Sequence, residues 1–116
     1  MWAALILSLA LAAAPEYRVL FFTAPWCGPC RAVDAVLEKT VTSQAARRVE
    51  VVIVDFDEAR TEAEARWGVR EIPVVIVLRA DGKMVLRADG AERGTLKNLE
   101  KALRELLQPP KKKERK

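Results

Sequence analysis

Cys27 and Cys30, three positions apart, are the only thiols in the 116-residue chain, and no histidine is present. Those counts narrow the chemistry at once. Without histidine there is no Ser-His or Cys-His pair and no mixed Cys/His zinc site, and two thiolates cannot fill a tetrahedral metal shell within one chain. What remains is thiol chemistry, carboxylate chemistry or a borrowed cofactor. The cysteines stand in Trp26-Cys27-Gly28-Pro29-Cys30, between an apolar run and a helical pattern. A cysteine at a helix start faces unsatisfied backbone N–H groups and the positive end of the helix dipole, and both favour thiolate over thiol. The thiolate is the nucleophile of disulfide exchange. A second cysteine one turn on can reach back to close a disulfide after a mixed disulfide has formed. Gly28 leaves room for a partner's backbone, and Pro29 suits a first helical turn, where its missing N–H would have had no acceptor. The alternatives are a static disulfide or half of a metal site shared between two chains. A ring this small constrains the unfolded chain very little, so a purely stabilising disulfide gains little.

The elements that must hold this pair follow from periodicity. Arg18 to Thr23 is near-continuously apolar and reads as a strand covered on both faces. Val33, Val36, Leu37 and Val41 form a stripe at helical spacing that predicts a helix from Pro29 to about Ala46. Val49 to Asp55 reads as a second buried strand, so strand, helix and strand form a βαβ unit with parallel strands. Glu58 to Trp67 reads as a helix stopped by Gly68. Val74 to Leu78 and Met84 to Ala88 form an antiparallel hairpin around Asp81-Gly82. Leu96, Leu99, Leu103 and Leu106 mark an amphipathic final helix, with Glu100 four residues before Arg104.

Composition assigns the ends. Of the net charge of +4, all lies in residues 111–116, while residues 1–110 balance to zero. A neutral body with a short basic tail lacks the folded basic face that nucleic-acid binding needs. The tail at 109–116 reads as a solvated terminus, with attraction to anionic lipid as the functional alternative. Trp2 to Ala14 carries no formal charge and ends in three alanines before Pro15. It is too short to span a bilayer comfortably. It reads as a signal or anchor segment, which favours an exported or membrane-associated protein over a cytoplasmic one; alternatively it is a short helix over about Ala3–Ala13 packed against the core or a partner. Residues 15–108 are left as the single folded domain.

Trp26-Cys27-Gly28-Pro29-Cys30 resembles the active-site motif of the thioredoxin family, and Trp67 to Pro73 resembles that family's stretch before its cis-proline. Asp57, Asp81-Gly82 and Gly90 fall in the same order, and the resemblance covers about residues 17–107. It implies an α/β thioredoxin-like three-layer sandwich: a mixed four-stranded sheet with helices on both faces and the usual N-terminal strand missing. It implies that Cys27 attacks, that Cys30 resolves, and that Trp26, Gly28, Pro29, Ile72 and Pro73 form the substrate-contact surface. Pro73 would be cis, so that the neighbouring backbone can pair with an extended substrate segment; from the residues alone it could equally be a trans proline opening a strand. The implied activity is reduction of protein disulfides by dithiol-disulfide exchange. It needs no cofactor beyond the Cys27–Cys30 disulfide and takes disulfide-containing proteins and an external reductant as partners. A non-catalytic binding module is the alternative. Trp67 reads as a core or rim aromatic, and Asp55 and Asp57 as strand-end or capping residues.

Three departures from the family pattern carry consequences. The buried carboxylate usually found six residues before the first cysteine is Phe21 here, and the lysine that accompanies it is Ile53. The usual proton acceptor for the resolving thiol is therefore gone, and resolution should be slower or depend on water or on a carboxylate of the partner. The front end is also short, so Val49–Asp55 should be a long apolar edge that residues 2–14, a membrane or a second copy of the chain would have to shield.

Overall fold

A computed structural model describes residues 15–42 and 48–107. Strand β1 (Tyr17–Thr23) leads to helix α1 (Cys30–Thr40), strand β2 (Val49–Asp55), helix α2 (Phe56–Trp67), strands β3 (Val74–Arg79) and β4 (Met84–Asp89), and helix α3 (Arg93–Leu107). The sheet order is β2-β1-β3-β4. β1 runs parallel to β2 and antiparallel to β3, and β3 and β4 form the antiparallel hairpin. The expected order, the parallel βαβ unit and the hairpin are all present.

β1 is central because it is apolar on both faces. Alternate side chains of a strand point to opposite sides of the sheet. Val19 and Phe21 accordingly join α1 and α3 in one buried cluster, while Leu20 and Phe22 join α2 in the other. Each such side chain, fully buried, stabilises the fold by about 1.5–3 kcal/mol before entropy is counted. The two clusters make the three-layer arrangement: α1 and α3 on one face, α2 on the other.

β2 lies at the edge of the sheet among the described residues, as the short front end led one to expect. The reading of it as a buried strand is corrected: Val49 is buried, but Val51 is 36% and Ile53 is 59% exposed. An apolar run reports only that a strand can be buried, and the neighbour that would cover it has to be seen. No strand precedes β1 among the described residues. The expected signal, anchor or helix over residues 1–14 and the basic tail at 109–116 lie outside them.

Helix boundaries shift for local reasons. α1 ends at Thr40 and not near Ala46; residues 43–46 of the expected extent lie outside the described residues. The Thr40 hydroxyl donates back to the Val36 carbonyl at 2.8 Å, and Val41 leaves helical geometry with φ −93° and ψ 75°. Thr40, Val41 and Thr42 are all β-branched and poor helix formers. α2 begins two residues earlier than expected, directly after β2, because Asp55 caps it: its carboxylate accepts from the Asp57 N–H at 3.0 Å. It ends as expected at Gly68, whose φ of 64° suits glycine, with the Gly68 and Val69 N–H groups returning to the Glu64 and Ala63 carbonyls. In α3 the fully buried seam is Leu99, Leu103 and Leu107, whereas Leu96 and Leu106 are only partly buried.

Candidate active site

The first turn of α1 builds the site. The Cys27 N–H donates to the Ala24 carbonyl at 3.1 Å, closing a turn over Pro25 and Trp26 that carries the chain from β1 toward the helix. Pro29 then takes helical dihedrals, φ −61° and ψ −22°, and the Arg31 and Ala32 N–H groups return to the Gly28 and Pro29 carbonyls. This leaves the Cys30 N–H without a carbonyl partner, and it donates to the Cys27 sulfur at 3.2 Å. Cys27 and Cys30 are joined by a disulfide, with their Cα atoms 5.4 Å apart, and both are buried. The helix therefore directs an amide hydrogen at the sulfur that would carry charge after reduction.

Around the pair, the other expected site residues divide. Trp26 is 63% exposed, and Gly28 and Pro29 are exposed beside it. A Cβ added at Gly28 would meet no atom within 4 Å, so the approach over this turn is open. Ile72 is half-buried and packs against the cluster that contains both cysteines. The Ile72–Pro73 bond is cis. Pro73 itself is buried and its carbonyl accepts from the Gly90 N–H at 2.9 Å, whereas Ile72 makes no backbone hydrogen bond among the described residues. The structure thus puts Trp26, Gly28 and Pro29 on the cysteine turn and Ile72 against the cluster that holds both cysteines, and it buries Pro73. β4 holds the chain leading to this proline: the Arg87 guanidinium donates to the Trp67 and Gly68 carbonyls and pairs with Asp89 at 2.9 Å. Trp67 is partly buried and packs on the α2 side of the sheet.

One interaction escaped the sequence. The Trp26 indole N–H donates to the Asp57 carboxylate at 2.8 Å, across 31 residues of chain. Asp57 is held by its own N–H on Asp55, so the cap of α2 also positions the aromatic at the cysteine turn. Only the place of Asp57 just after β2 hinted at it; nothing local pairs the two.

Phe21 and Ile53 are register partners on β1 and β2. They line a cavity of about 440 Å³ beside Cys27 and Cys30, whose wall also includes Arg31, Asp34 and Asp55. No cluster of three or more metal-ligating side chains occurs among the described residues.

The thioredoxin family model matches residues 9–105. This chain belongs to the thioredoxin family. Its relatives include thioredoxin 1 of Nostoc, 34% identical over 71% of this chain and 76% of that protein. Bacillus subtilis thioredoxin is 39% identical over 55% of this chain and 59% of that protein. The TPR repeat-containing thioredoxin TDX of Arabidopsis thaliana is 37% identical, with the match spanning 72% of this chain and 21% of that longer protein. Among solved structures, oxidised mitochondrial thioredoxin 3 of Saccharomyces cerevisiae superposes with a TM-score of 0.62 at 29% identity, covering 87% of this chain and 89% of that one. The thioredoxin fold is thereby shown. Family membership together with the Cys27–Cys30 pair supports thiol-disulfide exchange over a non-catalytic binding module.

Proposed function

We propose that this thioredoxin-family chain is a thiol-disulfide oxidoreductase that reduces disulfides of protein substrates. The observation that carries the reading is the Cys30 N–H directed at the Cys27 sulfur at the start of α1, beneath an open, exposed turn. In the reduced protein the Cys27 thiolate attacks one sulfur of a substrate disulfide, forming a Cys27–substrate bond and releasing the other substrate sulfur as thiolate. The Cys30 thiolate then attacks the Cys27 sulfur. The Cys27–Cys30 bond forms, the Cys27–substrate bond breaks, and the second substrate thiol leaves. An external dithiol reductant returns two electrons and two protons to close the cycle. The Cys27–Cys30 disulfide is the only redox group the scheme requires.

Trp26, Gly28 and Pro29 would form the contact surface, with the unpaired Ile72 backbone beside Pro73 adding an extended substrate strand. The uncharged run over residues 2–14 supports an exported or membrane-attached setting, with the cytoplasm as the alternative; cell fractionation separates them. Insulin-type reduction with dithiothreitol tests the activity. Wild type should accelerate precipitation of the insulin B chain and Cys27→Ser should not; equal rates would overturn the proposal. If replacing both cysteines by serine preserves the biological role, the binding module is the correct reading.

A further inference from the structure

We propose that Asp34 accepts the proton of the Cys30 thiol, through water in the cavity beside the cysteines, when the mixed disulfide is resolved. The inference rests on the exchange reading above and assigns a residue to its second step. Cys30 is 3% exposed and its surroundings are apolar: Phe21, Val33, Val75 and Val77 fill the same cluster. Such a setting disfavours a free thiolate. Neither Phe21 nor Ile53, the register partners on β1 and β2 that line the cavity beside the cysteines, can take a proton.

The route out is the cavity of about 440 Å³ between β1, β2 and α1. At about 30 Å³ per molecule it has room for several waters. Three charged groups face it in addition to the two cysteines: Arg31 and Asp34 from α1, and Asp55 from the end of β2. Arg31 is a cation and cannot accept a proton. Asp55 already accepts from the Asp57 N–H at 3.0 Å as the cap of α2. Asp34 is exposed and has no hydrogen bond or ion pair among the described residues. It lies four residues after Cys30 on α1, one turn along the same face.

The Cys30 Sγ–H proton passes to a cavity water and from it to the Asp34 carboxylate. The sulfur pair attacks Cys27 Sγ, the Cys27–Cys30 bond forms and the Cys27–substrate bond breaks. The departing substrate thiolate is protonated from solvent, and the carboxylic acid at Asp34 releases its proton to bulk water.

A carboxylate near a thiol also repels the thiolate, and the two effects have opposite signs in one measurement. Stopped-flow single turnovers of the pre-reduced protein with a disulfide peptide, followed across a pH series, read the resolution rate. Asp34→Asn should slow resolution at least about tenfold near neutrality, short of the roughly 10²–10⁴-fold of a directly placed base because a water intervenes. The deficit should vanish at high pH, where hydroxide deprotonates the thiol, and Asp34→Glu should restore most of the rate. An unchanged rate, a faster rate or a loss independent of pH overturns the proposal, as does a larger effect from Asp55→Asn. Cys30→Ser separates the two readings. If it traps the mixed disulfide while Asp34→Asn resolves normally, only the role of Asp34 fails; if it releases substrate at the wild-type rate, Cys30 is not the resolving thiol.

Discussion

The bond from Trp26 to Asp57 gives a quantitative test of how substrate contact is organised. Trp26 is 63% exposed, so packing alone does not hold it, and its indole N–H donates to Asp57 at 2.8 Å. Asp57→Ala removes the acceptor, but the freed N–H turns to water, so the loss is the net value of an exposed hydrogen bond, about 1 kcal/mol, without the desolvation cost of a buried orphan. About 1 kcal/mol is a factor of roughly five. The second-order rate constant for reduction of a peptide disulfide by the pre-reduced protein should therefore fall about fivefold in Asp57→Ala. Trp26→Phe, which keeps a ring but loses the donor, should show a similar loss. The double variant should be no slower than either, because one bond has been removed twice. Alkylation of Cys27 should be unchanged in all three, since the amide aimed at its sulfur belongs to Cys30. Multiplicative losses in the double variant, or no loss in the singles, would refute the idea that Asp57 positions the indole.

Packing and surface charge give further expectations. Leu103 is fully buried in the cluster that also holds the cysteines, so Leu103→Ala should cost about 2–5 kcal/mol of stability, seen as a lower denaturant midpoint at unchanged slope. A loss well under that range would mean the α3 seam is not packed as described. Glu100 accepts from Arg104 at 2.8 Å and from Lys39 at 3.3 Å, and these bonds, Arg104 first, hold its carboxyl below the usual range. The depressed value means the contribution is present above the unfolded glutamate value of about 4.3 and is lost as pH falls through the folded one. Wild type should lose more stability than Glu100→Gln between about pH 5 and 3, and parallel acid-unfolding curves would contradict this.

Most of the scaffold was legible in the chain because its signals are local. The apolar run of β1, the Asp81-Gly82 turn, the Gly68 stop and the leucine seam of α3 each state their element within a few residues. Cys27 and Cys30 were legible for the same reason: their spacing and their place at a helix start suffice to suggest exchange chemistry. What stayed hidden depends on neighbours distant in sequence. β2 reads like β1 as a string of residues; the short front end marked it as an edge, but only the assembled sheet shows that Val49 is buried while Ile53 is exposed. The stripe reaching Val41 suggested a longer α1, but the β-branched triplet from Thr40 and the backward bond of the Thr40 hydroxyl end it. The bond between Asp57 and Trp26 and the cavity shared by Phe21, Asp34 and Ile53 exist only once β1, β2 and α1 are assembled.

Exchange requires above all that Cys27 be ionised where an ordinary thiol is not, and the start of α1 offers it an amide hydrogen and the positive end of a helix. The rate of iodoacetamide alkylation of the fully reduced Cys30→Ser protein, measured from acid to alkaline pH, follows that single sulfur. Half-maximal reactivity should fall clearly below the value of about 8.5 for a free cysteine. A midpoint at or above it would show that the helix start does not activate Cys27, and the proposed nucleophile would be lost with it.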